Sequence, residues 1–185
     1  MKSHARDLTV FALLLAIGVF GRWAQPTWNF TPMAAVTAVG GYYFASPWAA
    51  VLLPVSVLAV SDLTLPVHDS AWVQASVHLM MVLPLLLGRW ARGRSPKTQV
   101  GLLALCGVAP ATAFFVVTNF AVWAFKSNYE RTLAGLGECY AAGLPFYRAM
   151  LAGDVFYMTV LAACLMLAGE FASRRTQPAV VPNKR

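Results

Sequence analysis

The chain has 185 residues, of which 59% are hydrophobic and 11% charged, and its formal net charge is +7. A soluble domain of this size carries about a quarter charged residues, so the composition excludes an ordinary soluble fold and points to an integral membrane protein. The positive charge does not point to nucleic acid, because ten of the fourteen basic residues lie in three membrane-flanking places: Lys2 and Arg6; Arg89, Arg92, Arg94 and Lys97; and Arg174, Arg175, Lys184 and Arg185.

In chain order, six apolar runs read as candidate spans: residues 8–23, 32–44, 48–65, 71–90, 98–125 and 144–169. A spanning helix needs about 20 mainly apolar residues, so these predict an all-α bundle of about six transmembrane helices with no separate soluble domain. The first run has the length of a signal-peptide core. Asp7 precedes it, however, and Phe20-Gly21-Arg22-Trp23-Ala24 is a poor cleavage site, so an uncleaved first helix is expected. The second run is short for a crossing, which implies tilt, extension into its flanks or a partly re-entrant path. Gly40-Gly41 within it would allow close helix approach.

Six crossings put all three basic clusters on one side, and the positive-inside rule makes that side the cytoplasm. The expected organisation is a cytoplasmic N-terminus over 1–7, a membrane domain over 8–170 and a flexible basic cytoplasmic tail over 171–185. Connectors 24–31, 65–70 and 126–143 then fall outside. Nearly all the unusual polar residues gather in them or in the nearby helix ends: Gln25, Asn29, Thr31, Asp62, His68, Asp69, His78, Asn119, Arg131, Glu138, Arg148 and Asp154. Polar groups at membrane depth need partners, water or a ligand. The asymmetry therefore predicts an outward-facing cavity, with 126–143 as a Gly-rich loop closing it.

Asn29, Asp62, Asn119, Trp123, Arg148 and Asp154 are the candidate substrate-binding residues. Asn119 carries both donors and an acceptor. Trp123 stands one turn on, on the same helix face, so the two suit a planar, partly apolar ligand. Arg148 and Asp154 are six residues apart and do not share a face, so their partners are expected on other helices. For each of these residues helix locking is the competing reading. His78 has no second histidine a turn away and Cys139 is alone in a loop, so neither a metal site nor a cofactor is expected. The HExxH, GxSxG and Walker A patterns are absent, and no enzyme is expected. Ala12 and Ala16 make a small-xxx-small face for helix docking.

An ordered set of short motifs carries a family resemblance. It comprises Asn29-Phe30-Thr31-Pro32, Gly40-Gly41, Ser61-Asp62-Leu63, Thr118-Asn119-Phe120-Ala121-Val122-Trp123, Thr132-Leu133-Ala134-Gly135-Leu136, Cys139-Tyr140, Pro145-Phe146-Tyr147-Arg148 and Gly153-Asp154. Over residues 8–168 the chain resembles a family of small bacterial membrane proteins of unknown function, of the DUF6580 type, described as transport proteins. That family is in turn distantly similar to the substrate-binding S components of energy-coupling-factor (ECF) vitamin transporters. The resemblance implies a multi-pass protein of the bacterial cytoplasmic membrane with an S-component-like bundle. It implies capture of a vitamin- or cofactor-like solute from outside, and docking through Ala12 and Ala16 onto an ECF-type coupling subunit with partner ATPases. A structural or accessory subunit of a larger complex is the alternative, and an intramembrane enzyme or redox subunit the third option.

Overall fold

The computed structural model describes residues 2–66 and 69–175. The distal half of the basic tail, 176–185, and His68 lie outside the described residues. Within them the fold is all helical. The helices are α1 (Lys2–Trp23), α2 (Met33–Tyr43), α3 (Pro47–Ser61), α4 (Ala71–Met80), α5 (Val82–Ala91), α6 (Pro96–Cys106), α7 (Ala109–Phe125) and α8 (Leu133–Arg175). Four helical stretches are long and apolar enough to cross a membrane: His4–Trp23, Ala71–Ala91, Lys97–Phe125 and Leu133–Gly169. They mark a membrane protein.

The expected fourth and fifth runs are each interrupted in the middle. The chain turns at Met81 between α4 and α5, and at Gly107 and Val108 between α6 and α7. Proline explains both places. Pro84 has no N–H for the Met80 carbonyl, and Pro110 has none for the Cys106 carbonyl. The preceding helices close with tighter bonds instead, Met81 N–H to the His78 carbonyl and Gly107 N–H to the Ala104 carbonyl. Pro54 and Pro145, by contrast, lie inside α3 and α8 without interrupting them.

The sixth run corrects an expectation. Residues 133–143 are not loop but the first turns of α8, so the connector from α7 shrinks to residues 126–132 and Cys139 is helical. The glycines there had suggested a break. Their role is close approach. Gly143 faces the Asn119 side chain and Gly135 packs on the Glu130 backbone, while the Thr132 hydroxyl accepts from the Gly135 N–H and starts the helix.

The helices form two groups. In the first, α2 is buried on every face from Met33 to Gly41, with α1, α3, α5, α6 and the C-terminal half of α8 around it. It runs antiparallel to α1. Gly21 meets Pro32 at one end, and the Tyr43 hydroxyl reaches Asp7 at the other, 3.4 Å away. Arg92 donates to the Tyr43 carbonyl and Tyr42 meets Gln99, so the basic residues of the 89–97 connector share the Asp7 end. In the second group, α7 packs between α4 and the N-terminal half of α8. Trp72 stacks on Phe125 and Lys126 pairs with Asp69 at 2.8 Å. The groups meet where Gly153 of α8 touches the backbone of Phe30 and Thr31.

The α2–α5 contact is made by backbone. A Cβ on Gly88 would overlap the Ala38 carbonyl, and one on Gly41 would overlap the Leu85 carbonyl. Neither obstacle is a flexible side-chain tip. Gly88→Ala is therefore expected to destabilise by about 1–3 kcal/mol through overpacking. Gly101→Ala, with open space around it, is expected to be neutral or slightly stabilising. Thermal unfolding of the detergent-solubilised variants checks this; equal effects would refute the backbone contact.

Candidate functional site

A cavity of about 330 Å3 lies at the boundary of the two groups. Its floor comes from Arg22, the 24–32 connector (Gln25, Trp28, Asn29, Thr31), Met33 and Ala34 of α2 and Leu58 of α3. Its other walls are Leu65 and Pro66, Val77, Met80 and Met81 at the α4–α5 break, Pro110 and Phe114 of α7, and Met150 and Asp154 of α8. Both helix interruptions thus open onto or beside it. Its volume is within the range of small-molecule sites, from about 300 Å3 upward.

Asp154 is the most unusual group in this wall. It is 4% exposed and stands about six turns into α8. Its carboxylate lies beside the Ala111 backbone N–H. Ala111 is in the first turn of α7, where N–H groups have no partner within the helix, so Asp154 stands next to the start of a helix that begins at a proline break. The buried Cys106 thiol of α6 lies close by.

At the opposite end, Arg22 donates to Asp62 Oδ1 at 2.6 Å and also to Ser61 Oγ. Ser61 Oγ in turn donates to the Val57 carbonyl at 2.6 Å. The pair is largely shielded, with side-chain exposures of 18% and 24%. Asp62 itself is not in the cavity lining; it holds Arg22 there. Asn29 is at φ 69°, a conformation Asn tolerates better than most residues, and its N–H is held by Gln25 Oε1 at 2.8 Å. That turn folds the 24–32 connector beneath the cavity.

Asn119, Trp123 and Arg148 are placed away from this lining. Asn119 Nδ2 donates to the Phe115 carbonyl of its own helix at 2.8 Å. Its backbone carbonyl accepts from Cys139 Sγ, and the next residue, Tyr140, donates its hydroxyl to the Val116 carbonyl at 2.7 Å. These residues form the seam of α7 with α8. Trp123 Nε1 donates to the Glu130 carbonyl at 2.8 Å and carries Arg131 on its ring face, so it holds the 126–132 connector. Arg148 is exposed. His78 Nδ1 lies 2.8 Å from the Gln74 carbonyl of its own helix. Among the described residues no group of three or more His, Cys, Asp or Glu is placed to hold a metal.

Arg22 was missed as a site residue, as were the methionines. A signal for Arg22 existed. It is one of the four basic residues outside the terminal and 89–97 clusters, and it ends an apolar run. The methionines gave no signal, because apolar residues on an apolar helix have no distinguishing pattern.

Two packing predictions follow from these contacts. Asp62→Ala leaves Arg22 partly buried with only Ser61 as partner, and should cost about 1.5–3 kcal/mol. Adding Arg22→Ala should recover part of that loss, and a strictly additive double mutant would show that the pair contributes nothing. At Gly143 a Cβ would stand 2.5 Å from Asn119 Oδ1. Gly143→Ala should lower the unfolding temperature, and Asn119→Ala should relieve that loss; no relief would place the strain elsewhere.

The comparisons with known proteins place the chain in a family without supplying an activity. No curated protein and no solved structure matches the chain. The family profile of DUF6580, described as a family of unknown function, matches residues 2–179. With nearly the whole chain covered, the protein belongs to the DUF6580 family.

Proposed function

We infer that this protein is a six-span membrane protein that binds a small solute in the cavity between its two helix groups, as a transport component. The carrying observation is the cavity itself. Three segments that are far apart in sequence, 22–34, 58–81 and 110–154, converge on it with mostly apolar walls and a few polar groups, the usual composition of a binding site. The six crossings would be α1, α2, α3, α4 with α5, α6 with α7, and α8. The basic residues of the Asp7 end make that end cytoplasmic in a bacterial inner membrane. The cavity then lies toward the outside, where a vitamin- or cofactor-like solute would enter.

The reading is of binding rather than catalysis. Energy for transport would come from partner subunits, for which an ECF-type coupling subunit with ATPases is the proposed class. Ala12 is exposed and Ala16 half-buried on α1, beside exposed Leu13 and Phe20, so this face is open to a membrane partner or to lipid. Within the binding reading, Asn29, Asp154 and Asp62-held Arg22 meet or orient the solute. Asn119 and Trp123 brace the α7–α8 seam above it, and Arg148 stays outside the cavity.

A second reading has one observation in its favour. The Cys139 and Tyr140 side chains donate across the α7–α8 seam, away from the cavity lining, as in a structural or accessory subunit. A thermal-shift screen of vitamin- and cofactor-like solutes on the purified protein separates the two. A bound solute at about 100 times its Kd contributes about 2.7 kcal/mol, which raises the unfolding temperature by several degrees. Ala34→Phe, which fills the cavity, should abolish the shift. A shift that survives this substitution would move the site elsewhere, and a screen without any shift would favour the accessory subunit.

A further inference from the structure

One ionisable group on the cavity wall has no charged partner among the described residues. Arg22 is already paired with Asp62. Asp154, on the far wall, has the Ala111 N–H beside it and makes no ion pair among the described residues. A carboxylate offers about four acceptor positions when ionised, so capacity remains for a ligand in the cavity it lines. The Cys106 thiol beside it brings no positive charge.

The start of α7 does not require a carboxylate beside it. Asparagine and serine cap a helix N-terminus about as well as aspartate does, and neither brings a charge to be desolvated. A carboxylate at 4% exposure is the costly choice unless a cation or a proton meets it.

The remaining walls suit an organic cation. Trp28 and Phe114 offer aromatic surface, which attracts positive charge. Met33, Met80, Met81 and Met150 also line the cavity, four of the seven methionines in the chain. Thioethers are polarisable and adapt to irregular apolar shapes. An inorganic cation would want several oxygens in a shell, and Asp154 supplies the one carboxylate in this lining.

We propose that the solute bound in this cavity is an amphipathic organic amine, with its protonated nitrogen paired to Asp154 and its apolar body held among the methionines, Trp28 and Phe114. This rests on the binding reading above and narrows it to one chemical class. Asn29 and Gln25 would meet any polar group at the other end of the solute.

Three indole probes of similar shape test the charge. Tryptamine is cationic near neutral pH, tryptophol is neutral and indole-3-propionate is anionic. Thermal shifts of the full-length protein in detergent should show half-saturation by tryptamine at a concentration about tenfold or more below that of tryptophol, and no stabilisation by indole-3-propionate. Asp154→Asn should erase the preference for tryptamine, and Asp154→Glu should keep part of it. Carbodiimide modification of wild-type Asp154, followed by mass spectrometry, gives a readout that needs no variant. There the cationic probe is N,N-dimethyltryptamine, a tertiary amine that forms no amide with the activated carboxylate, and it should shield Asp154 at concentrations where tryptophol does not. The proposal is overturned if tryptamine has no preference, produces no shift at millimolar concentration or keeps its preference in Asp154→Asn, or if the tertiary amine fails to shield. Tryptophol binding as well as tryptamine, with both lost in Ala34→Phe, would overturn the charge and leave the binding reading intact. Tryptamine binding unaffected by Ala34→Phe would overturn the cavity itself.

Discussion

The approach of Asp154 to the first turn of α7 is the contact on which the cavity depends. Inside a bilayer, water is not available to satisfy a broken helix, so every freed backbone group needs a protein partner. Pro110 makes such a break, and the first turn of α7 is left with unpaired N–H groups. Asp154 meets one of them across the interface from α8. This fixes the start of α7 beside the middle of α8 and sets the width of the space between them. The same contact places Pro110, Phe114, Met150 and Asp154 on one wall.

The opposite wall is set by packing rather than by polar bonds. α2 is enclosed on all sides, and Gly41 and Gly88 bring it against α5 at backbone distance. A helix held this closely cannot shift toward the cavity or away from it without opening a void, which is costly in a close-packed interior. The Arg22–Asp62 pair then ties the end of α1 to the end of α3. The 24–32 connector is folded under the cavity by the turn at Asn29. One wall is therefore a rigid platform, and Met33 and Ala34 present its surface.

Much of this was legible in the chain, for reasons that vary with the residue. The apolar runs showed as runs because each apolar stretch must satisfy one solvent, and the second, fourth and fifth agree with α2, with α4 and α5, and with α6 and α7 to within two residues. The start of α8 did not show, because Gly135, Gly137 and Gly143 look like loop residues until the close contacts they permit are known. The mid-run breaks were hidden for the opposite reason. Proline interrupts at Pro84 and Pro110 but not at Pro54 or Pro145, so its effect depends on neighbours that sequence does not show. Asn29 and Asp154 were picked out as costly polar groups and do share the cavity. Asn119 and Trp123 were picked out by the same rule, yet spend their hydrogen-bonding capacity on backbone carbonyls. Cost at membrane depth identifies residues that need a partner, and it does not tell a ligand from a carbonyl.

The cavity's position suggests how one site can accept shape as well as charge. The group around α2 is tied by glycine contacts and an enclosed core. The second group joins it through the 62–70 connector, the Met81 turn, the Gly107–Val108 turn and the continuous α8. Two of these four connections are helix interruptions, where fewer helical bonds resist bending. Two of the four lining methionines, Met80 and Met150, belong to the second group, and Met81 sits at the turn between the groups. A flexible thioether side chain can follow the outline of a ligand, while a carboxylate buried between α7 and α8 has little room to turn away from it. Such a site would be permissive toward the apolar body of its solute and strict toward its charge.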